Sequence, residues 1–233
     1  SWAASPVRSE INGNIAHEMT LAEIHEVIDA HAQGAKRVAA GGMDGVEILG
    51  AFGFLPQAFL SPLTNHRTDK YGGALKNRLR FLMELLEAVR GALGRDHVLG
   101  VRLPGDEFEP GALDLEQMKT ICKQIADTGL IDYLNIIAHT NITHLGRSRH
   151  WAPTPTRHGI FVHLAGAIRE VVNLPVFTVG RIVDPAHAEH IIAHGQADMV
   201  GMTRAHICDP QILSKIRGDL EASIRTCVGA NVC

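Results

Sequence analysis

The chain has 233 residues, of which 45% are apolar and 20% charged, and 22 basic side chains stand against 25 acidic ones. That excludes a disordered or fibrous protein and predicts one large globular domain or two small ones. The net charge of −3 argues against binding along nucleic acid. No apolar run approaches the ~20 residues that cross a bilayer, so no membrane partner is expected. The opening SWAASPVRSE lacks the basic-then-apolar layout of a signal peptide. The 4 cysteines are too few for a disulfide framework in a chain this long, and a reducing, cytoplasmic setting is expected.

Helical and strand patterns alternate along the whole chain. Thr20-Leu-Ala-Glu23 forms a capping box that opens a helix to about Ala40. After Gly41-Gly42, Val46–Leu49 predicts a strand. Leucines and Val89 at helical spacing predict a helix over Asn77–Leu93, with Gly94 as its stop. Val98–Leu103 is the next strand, Asp114 caps a helix to Thr128, and Tyr133–Ile137 is a short buried strand. A long polar loop follows. A helix near Phe161–Val172 and a strand at Pro175–Val179 come next. Asp184-Pro185 opens a helix that ends at Gly195, Ala197–Met202 is a strand, and Asp209-Pro210 opens the last helix by the same device. Strands of this kind separated by helices predict parallel βαβ units. Five strands cannot close an eight-stranded barrel without leaving two edges unpaired. Periodicity therefore leaves two architectures: an open sheet, or part of a barrel.

Two long segments decide between them. Gly45–Pro62 runs into Asn65-His-Arg-Thr-Asp-Lys-Tyr-Gly-Gly-Ala-Leu-Lys-Asn-Arg78, and further on stand Val179-Gly-Arg-Ile-Val-Asp-Pro185 and Ala197-Asp-Met-Val-Gly-Met-Thr-Arg204. From about Met19 to Cys233 the sequence resembles the old yellow enzyme (NADH:flavin oxidoreductase) family. Within it, the likeness is to the branch of trimethylamine dehydrogenase, 2,4-dienoyl-CoA reductase and the N-methylproline and dimethylglycine demethylases. The resemblance implies an α/β (β/α)8 TIM barrel, present here as about five C-terminal β/α units within residues 1–218 of a longer polypeptide. It also implies an FMN cofactor. Loops after the last two barrel strands commonly hold a phosphate. Gly180 and Gly201 would allow close backbone approach there, and Arg181 and Arg204 would supply charge. Arg102 matches the family's cation beside the flavin pyrimidine, the alternative being an ion pair with Asp106 or Glu47.

The sequence departs from the family's ene-reductases at Leu49, Phe52 and Phe54. These stand where two hydrogen-bonding residues and a proton-donating Tyr are the rule, and none of the three can donate a hydrogen bond. An apolar wall instead suits methyl groups, and aromatic faces attract alkylammonium ions. Leu49, Phe52, Phe54 and Trp151 are the candidate substrate wall. His139 and His144, on the loop after Tyr133–Ile137, are candidate proton acceptors because an ordinary imidazole titrates near ~6.5. These features favour oxidative demethylation of a small N-methylated amine or amino acid by hydride transfer to flavin N5. The alternatives are an NAD(P)H-dependent ene-reductase and a non-catalytic barrel fragment that pairs with another chain.

From residue 219 onward a degenerate cysteine-containing segment begins. Cys227-Val-Gly-Ala-Asn-Val-Cys233 resembles the first three ligand positions of a [4Fe–4S] site, with Ala230 at the middle one. Cys227 and Cys233 could bind a cluster with outside help, bind nothing, or pair with each other; a vestigial segment is the first expectation. Reduced flavin would then pass electrons to an acceptor protein or exchange them with NAD(P)H. Subunit pairing into a homo-oligomer is expected from the resemblance alone. His187, His190 and His194 share one helix face at metal-chelating spacing, and a solvated helix side is the expected reading.

Overall fold

In the computed structural model, residues 1–11 and 13–233 are described. Two short strands, β1 (Trp2–Ala3) and β2 (His17–Glu18), pair in parallel ahead of α1 (Leu21–Ala40). Thr20 and Glu23 form the expected capping box at the head of α1. The main sheet comprises β3 (Gly45–Leu49), β4 (Val98–Pro104), β5 (Tyr133–Ile137), β6 (Val176–Val179) and β7 (Met199–Gly201). Its strands are all parallel and stand in chain order from β3 to β7. A doubly wound sheet reverses its strand order at a switch point; an unbroken sequential order is the connectivity of a β/α barrel. Five successive units of such a barrel are present.

Strand period 2 gives the sheet two unlike faces. Ile48, Leu99, Val101, Leu103, Leu134, Ile136 and Val176 are buried under the helices. The helices on that side include α3 (Leu75–Leu93), α4 (Leu115–Asp127), α6 (Val162–Arg169) and α7 (Pro185–Ala193). The opposite face carries Glu47, Leu49, Gly100, Arg102, Tyr133, Asn135, Phe177 and Met199, as the register Glu47–Gly100–Tyr133 and Arg102–Asn135–Phe177–Met199 requires. That inward face is polar at its centre. Glu47 accepts from Tyr133 Oη at 3.1 Å and Asn135 Nδ2 at 2.8 Å, and pairs with Arg102 Nε at 3.0 Å.

Several elements differ from the sequence expectation for local reasons. α2 (Leu55–Leu60) forms within the stretch after β3, with a proline in its first turn. α3 starts at Leu75 rather than Asn77. The polar loop after β5 contains α5 (His144–His150), capped by the Thr143 side chain on the Gly146 N–H. β7 spans three residues instead of six: it begins two residues later than expected, at Met199, and α8 (Thr203–Cys208) starts two residues after it ends. Asp209 closes α8 rather than opening the last helix, α9 (Ile212–Arg217). Its carboxylate is engaged by Lys215 Nζ at 2.6 Å and the Arg225 N–H at 2.9 Å. No helix among the described residues is long and apolar enough to cross a membrane.

Candidate functional site

The carboxyl ends of the inward-facing strand residues converge on a cavity of about 430 Å³. Arg102 of β4, Ile137 of β5, Val179 of β6 and Gly201 of β7 supply one side; Gly180, Arg181, Arg204, Phe52, His150 and Trp151 complete it. This is the size and mixed apolar–polar lining of a small-molecule site, at the end of the strands where β/α barrels place their chemistry.

Glycine is required at two points of the wall. A Cβ on Gly180, whose φ is +131°, would lie 2.7 Å from the Phe161 ring. One on Gly201 would lie 2.5 Å from Val179 Cγ1. Arg181 follows Gly180 in the left-handed region at φ +55°, uncommon for a non-glycine residue and typical of functional sites. Its Nη1 donates to the Thr154 and Thr156 carbonyls and its Nη2 to the Val228 carbonyl at 3.2 Å, while Nε is buried without a partner. Arg204 Nη1 donates to the Ala152 carbonyl at 3.1 Å and to Asn231 Oδ1. Asn231 Nδ2 in turn donates to the Trp151 carbonyl at 2.6 Å. The C-terminal tail thus lies along the two arginines.

A second cavity of about 360 Å³ adjoins the first and is lined by Phe108, His139, Arg149, Thr156, Phe161 and His163. The two share a wall: Phe161 lies against Gly180, and Thr156 is bonded to Arg181. His139 is buried at φ +70°, with its ring centroid 4.9 Å from that of Phe108 and 5.6 Å from that of Phe161. Burial, reinforced by the charges of Arg149 and His150, pushes its pKa down to about 4, so the imidazole is neutral at pH 7. Its backbone is pinned on both sides. The N–H donates to the Asp106 carbonyl at 2.9 Å, and the carbonyl accepts from Gln57 Nε2 at 3.3 Å.

Gln57 belongs to a buried network that shapes the turn carrying Phe52. Its Nε2 donates to Glu107 at 2.5 Å and its Oε1 accepts from the Gly53 N–H at 2.6 Å. Glu107 also accepts from Ser61 Oγ at 2.6 Å and from the Leu113 N–H at 2.9 Å. Burial raises the Glu107 pKa against the pull of these donors. Phe52 and Gly53 both have positive φ, and this brace fixes the turn that presents Phe52 to the cavity.

Of the candidates from sequence, Arg102, Gly180, Arg181, Gly201, Arg204, Phe52 and Trp151 meet around one cavity. His139 lines the neighbouring one. His144 is exposed at the start of α5, its N–H donating to Glu10 Oε2 at 3.0 Å. Leu49 is half-buried against the core below the cavity, and Phe54 is 54% exposed at the head of α2. Arg102 makes the ion pair with Glu47 and still faces the cavity. Cys227 and Cys233 are free thiols, and Cys233 reaches the cavity rim. The His190 and His194 rings stand 3.8 Å apart, and no group of three or more metal-ligating side chains occurs among the described residues. Sequence reasoning left His150 unassigned and did not consider Asn231. Both reach the site through tertiary packing that no spacing pattern announces.

Comparison with known proteins places this geometry. The chain is 39% identical over 234 residues to the N,N-dimethylglycine/sarcosine dehydrogenase of Chromohalobacter salexigens, covering 98% of this chain and 33% of that one. It is 45% identical over 211 residues to a probable N-methylproline demethylase of Rhizobium meliloti, covering 91% and 31% respectively. Among solved structures, 2-naphthoyl-CoA reductase in complex with 2-naphthoyl-CoA superposes with a TM-score of 0.90 at 31% identity, over 97% of this chain and 34% of that one. The chain therefore spans about a third of the length of these relatives. A model of the NADH:flavin oxidoreductase / NADH oxidase family matches residues 3–223, and the chain belongs to that family.

Proposed function

We propose that the cavity at the ends of β4–β7 binds FMN and that the enzyme oxidises a small N-methylated amine or amino acid. The observation that carries this is the convergence of three guanidinium groups and two sterically obligatory glycines on one cavity. The donor set fits a phosphorylated planar cofactor. Arg181 has a buried Nε with no partner, and the Nε and Nη2 of Arg204 make no hydrogen bond among the described residues. These atoms and the backbone at Gly180 and Gly201 would hold the phosphate; Arg102, steadied by Glu47, would lie beside the ring. When bound, FMN supplies the acceptor for the hydride leaving the carbon next to the substrate nitrogen.

The protein's own part is binding and orientation. Phe52 and Trp151 offer apolar faces to methyl groups and attract an alkylammonium by cation–π contact. Leu49, Phe52 and Phe54 stand where the ene-reductases carry hydrogen-bonding and proton-donating residues and can donate to no carbonyl, which favours amine oxidation over alkene reduction. His139 lines the neighbouring cavity and His144 is exposed at the head of α5, and we assign neither a contact with the reacting carbon. The likeness to the dimethylglycine/sarcosine dehydrogenase and the N-methylproline demethylase supports this reading. The likeness to 2-naphthoyl-CoA reductase supports the second one, reduction of an activated ring or alkene by NAD(P)H. Cys227 and Cys233 do not fit a [4Fe–4S] cluster as they stand, because Ala230 removes a thiolate and two ligands do not hold a cubane. We propose that residues 219–233 open a separate segment, and that electrons pass to an acceptor protein or to NAD(P)+. Pairing of subunits belongs to the same proposal.

Anaerobic spectroscopy of the flavin-loaded enzyme separates the readings. Bleaching near 450 nm by N-methylglycine or N-methylproline supports amine oxidation. Bleaching by NADPH alone, with reoxidation by an enone, would establish the reductase instead.

A further inference from the structure

Below the cavity, the inward face of the sheet holds a polar cluster that the proposed phosphate and substrate contacts leave unused. Both carboxylate oxygens of Glu47, on β3, are engaged. Oε2 accepts from Tyr133 Oη at 3.1 Å and from Asn135 Nδ2 at 2.8 Å. Oε1 stands 3.0 Å from Arg102 Nε but off the axis of that N–H, so this contact is one of charge rather than an aligned hydrogen bond. Tyr133 lies two strands away from Glu47. Its ring crosses β4 over Gly100, where a Cβ would come within 2.0 Å of the ring. Glycine weakens a strand interior, and here it opens the passage that brings the hydroxyl to the carboxylate. Burial, then the Glu47 charge, pushes the Tyr133 pKa up to about 12, so the hydroxyl remains a donor. Phe177 stacks on the ring at 4.4 Å and holds it in place.

Stability does not account for this arrangement, because an ion pair set in a protein interior is often no better than apolar packing of the same volume. Arg102 lines the cavity, and Glu47 is the one acidic side chain paired with it among the described residues. Hydride transfer breaks the substrate C–H bond and carries two electrons with one proton to the flavin ring, which therefore gains one negative charge. A cation beside the ring favours that reduced form and raises its potential; a carboxylate that offsets the cation lowers it.

We infer that Glu47 is a positioning residue that sets the potential of the bound flavin: anchored by Tyr133 and Asn135, it holds Arg102 and offsets its charge. The inference rests on the FMN-binding part of the reading above and not on which substrate is oxidised. A lowered potential makes the reduced flavin a better donor to the acceptor that must reoxidise it.

The test is reductive titration of the flavin-loaded enzyme against dyes of known potential, in wild type, Glu47→Gln, Arg102→Met and the double variant. At a fixed potential, Glu47→Gln should shift the ratio of reduced to oxidised flavin about ten- to thirtyfold toward reduced, a rise of about 30–45 mV for a two-electron couple. In the Arg102→Met background the same substitution should move the ratio less than about threefold, because the charge it offsets is gone. FMN affinity, read by fluorescence titration of the flavin-free protein, should change less than about threefold, since Glu47 touches none of the proposed phosphate contacts. An unchanged potential in Glu47→Gln, or an equal shift with and without Arg102, would overturn the role of Glu47 and leave FMN binding standing. Loss of FMN affinity at an unchanged potential would overturn it too, leaving Glu47 a structural part only. Wild-type protein that takes up no FMN defeats the flavin reading and this inference together. Should Glu47→Gln not fold, Glu47→Asp draws the charge back by one methylene and should shift the ratio about two- to fourfold in the same direction. No shift in that variant would overturn the inference.

Discussion

Replacing Gly100 by alanine tests the brace under the cavity. A Cβ at Gly100 would lie 2.0, 2.3 and 2.5 Å from three carbons of the Tyr133 ring. Carbon–carbon contact needs ~3.5 Å, so the ring must retreat by about 1.5 Å. It has nowhere to go. Phe177 is stacked on it at 4.4 Å, and its hydroxyl is held by Glu47 at 3.1 Å. Overpacking of this kind costs about 1–3 kcal/mol, and loss of a hydrogen bond to a charged carboxylate adds about 1.5–3 kcal/mol. Gly100→Ala should therefore lower stability by about 3–5 kcal/mol in urea unfolding, read as a lower midpoint at unchanged slope. The same substitution in a Tyr133→Ala background should cost under about 1 kcal/mol, because the obstacle is gone. A full penalty in both backgrounds, or none in either, would refute the steric chain from Gly100 through Tyr133 to Glu47 and Arg102.

Other outcomes follow from the buried polar groups. His139 is held near pKa 4 in the folded chain against an ordinary 6.5. Its neutral form therefore contributes stability above pH 6.5 that is lost as pH falls toward 4, on the order of 2 kcal/mol after screening. His139→Gln should flatten that loss between pH 7 and 4.5; an undiminished loss would rule His139 out as its source. Gln57→Ala removes the donor to Glu107 and the acceptor for Gly53, and should destabilise by about 2–3 kcal/mol while loosening the Phe52 turn. Hydrogen exchange at the Gly53 amide is the check: protection equal to wild type would show that the turn does not depend on Gln57.

Most of the frame was readable from the chain because the signals were local. The Thr20–Glu23 box, the Asp114 cap and the strand–helix alternation each need only neighbours in sequence, and each appears where expected. The glycine–arginine pairs after β6 and β7 were also legible, since short loops leave little choice about where their residues emerge. What failed depended on competition at a distance. Asp209-Pro210 has the form of a helix start, yet Lys215 and the Arg225 N–H claim its carboxylate. Phe54 alternates with Phe52 in sequence, but the start of α2 turns it out to solvent. The sequence singles out His139 and His144 on the loop after β5 and not His150, because only the folding of α5 against Phe52 and Trp151 brings His150 to the cavity wall.

The central claim is that Gly180–Arg181 and Gly201–Arg204 jointly hold the FMN phosphate. Fluorescence titration of the flavin-free protein with FMN and with riboflavin, in wild type and in Arg181→Ala and Arg204→Ala, measures it directly. Each loss of a charge-assisted contact is worth about 1.5–3 kcal/mol, so FMN affinity should fall about ten- to a hundredfold in either variant while riboflavin affinity stays unchanged. FMN binding as tight in both variants as in wild type, or an equal loss for riboflavin, would contradict the account.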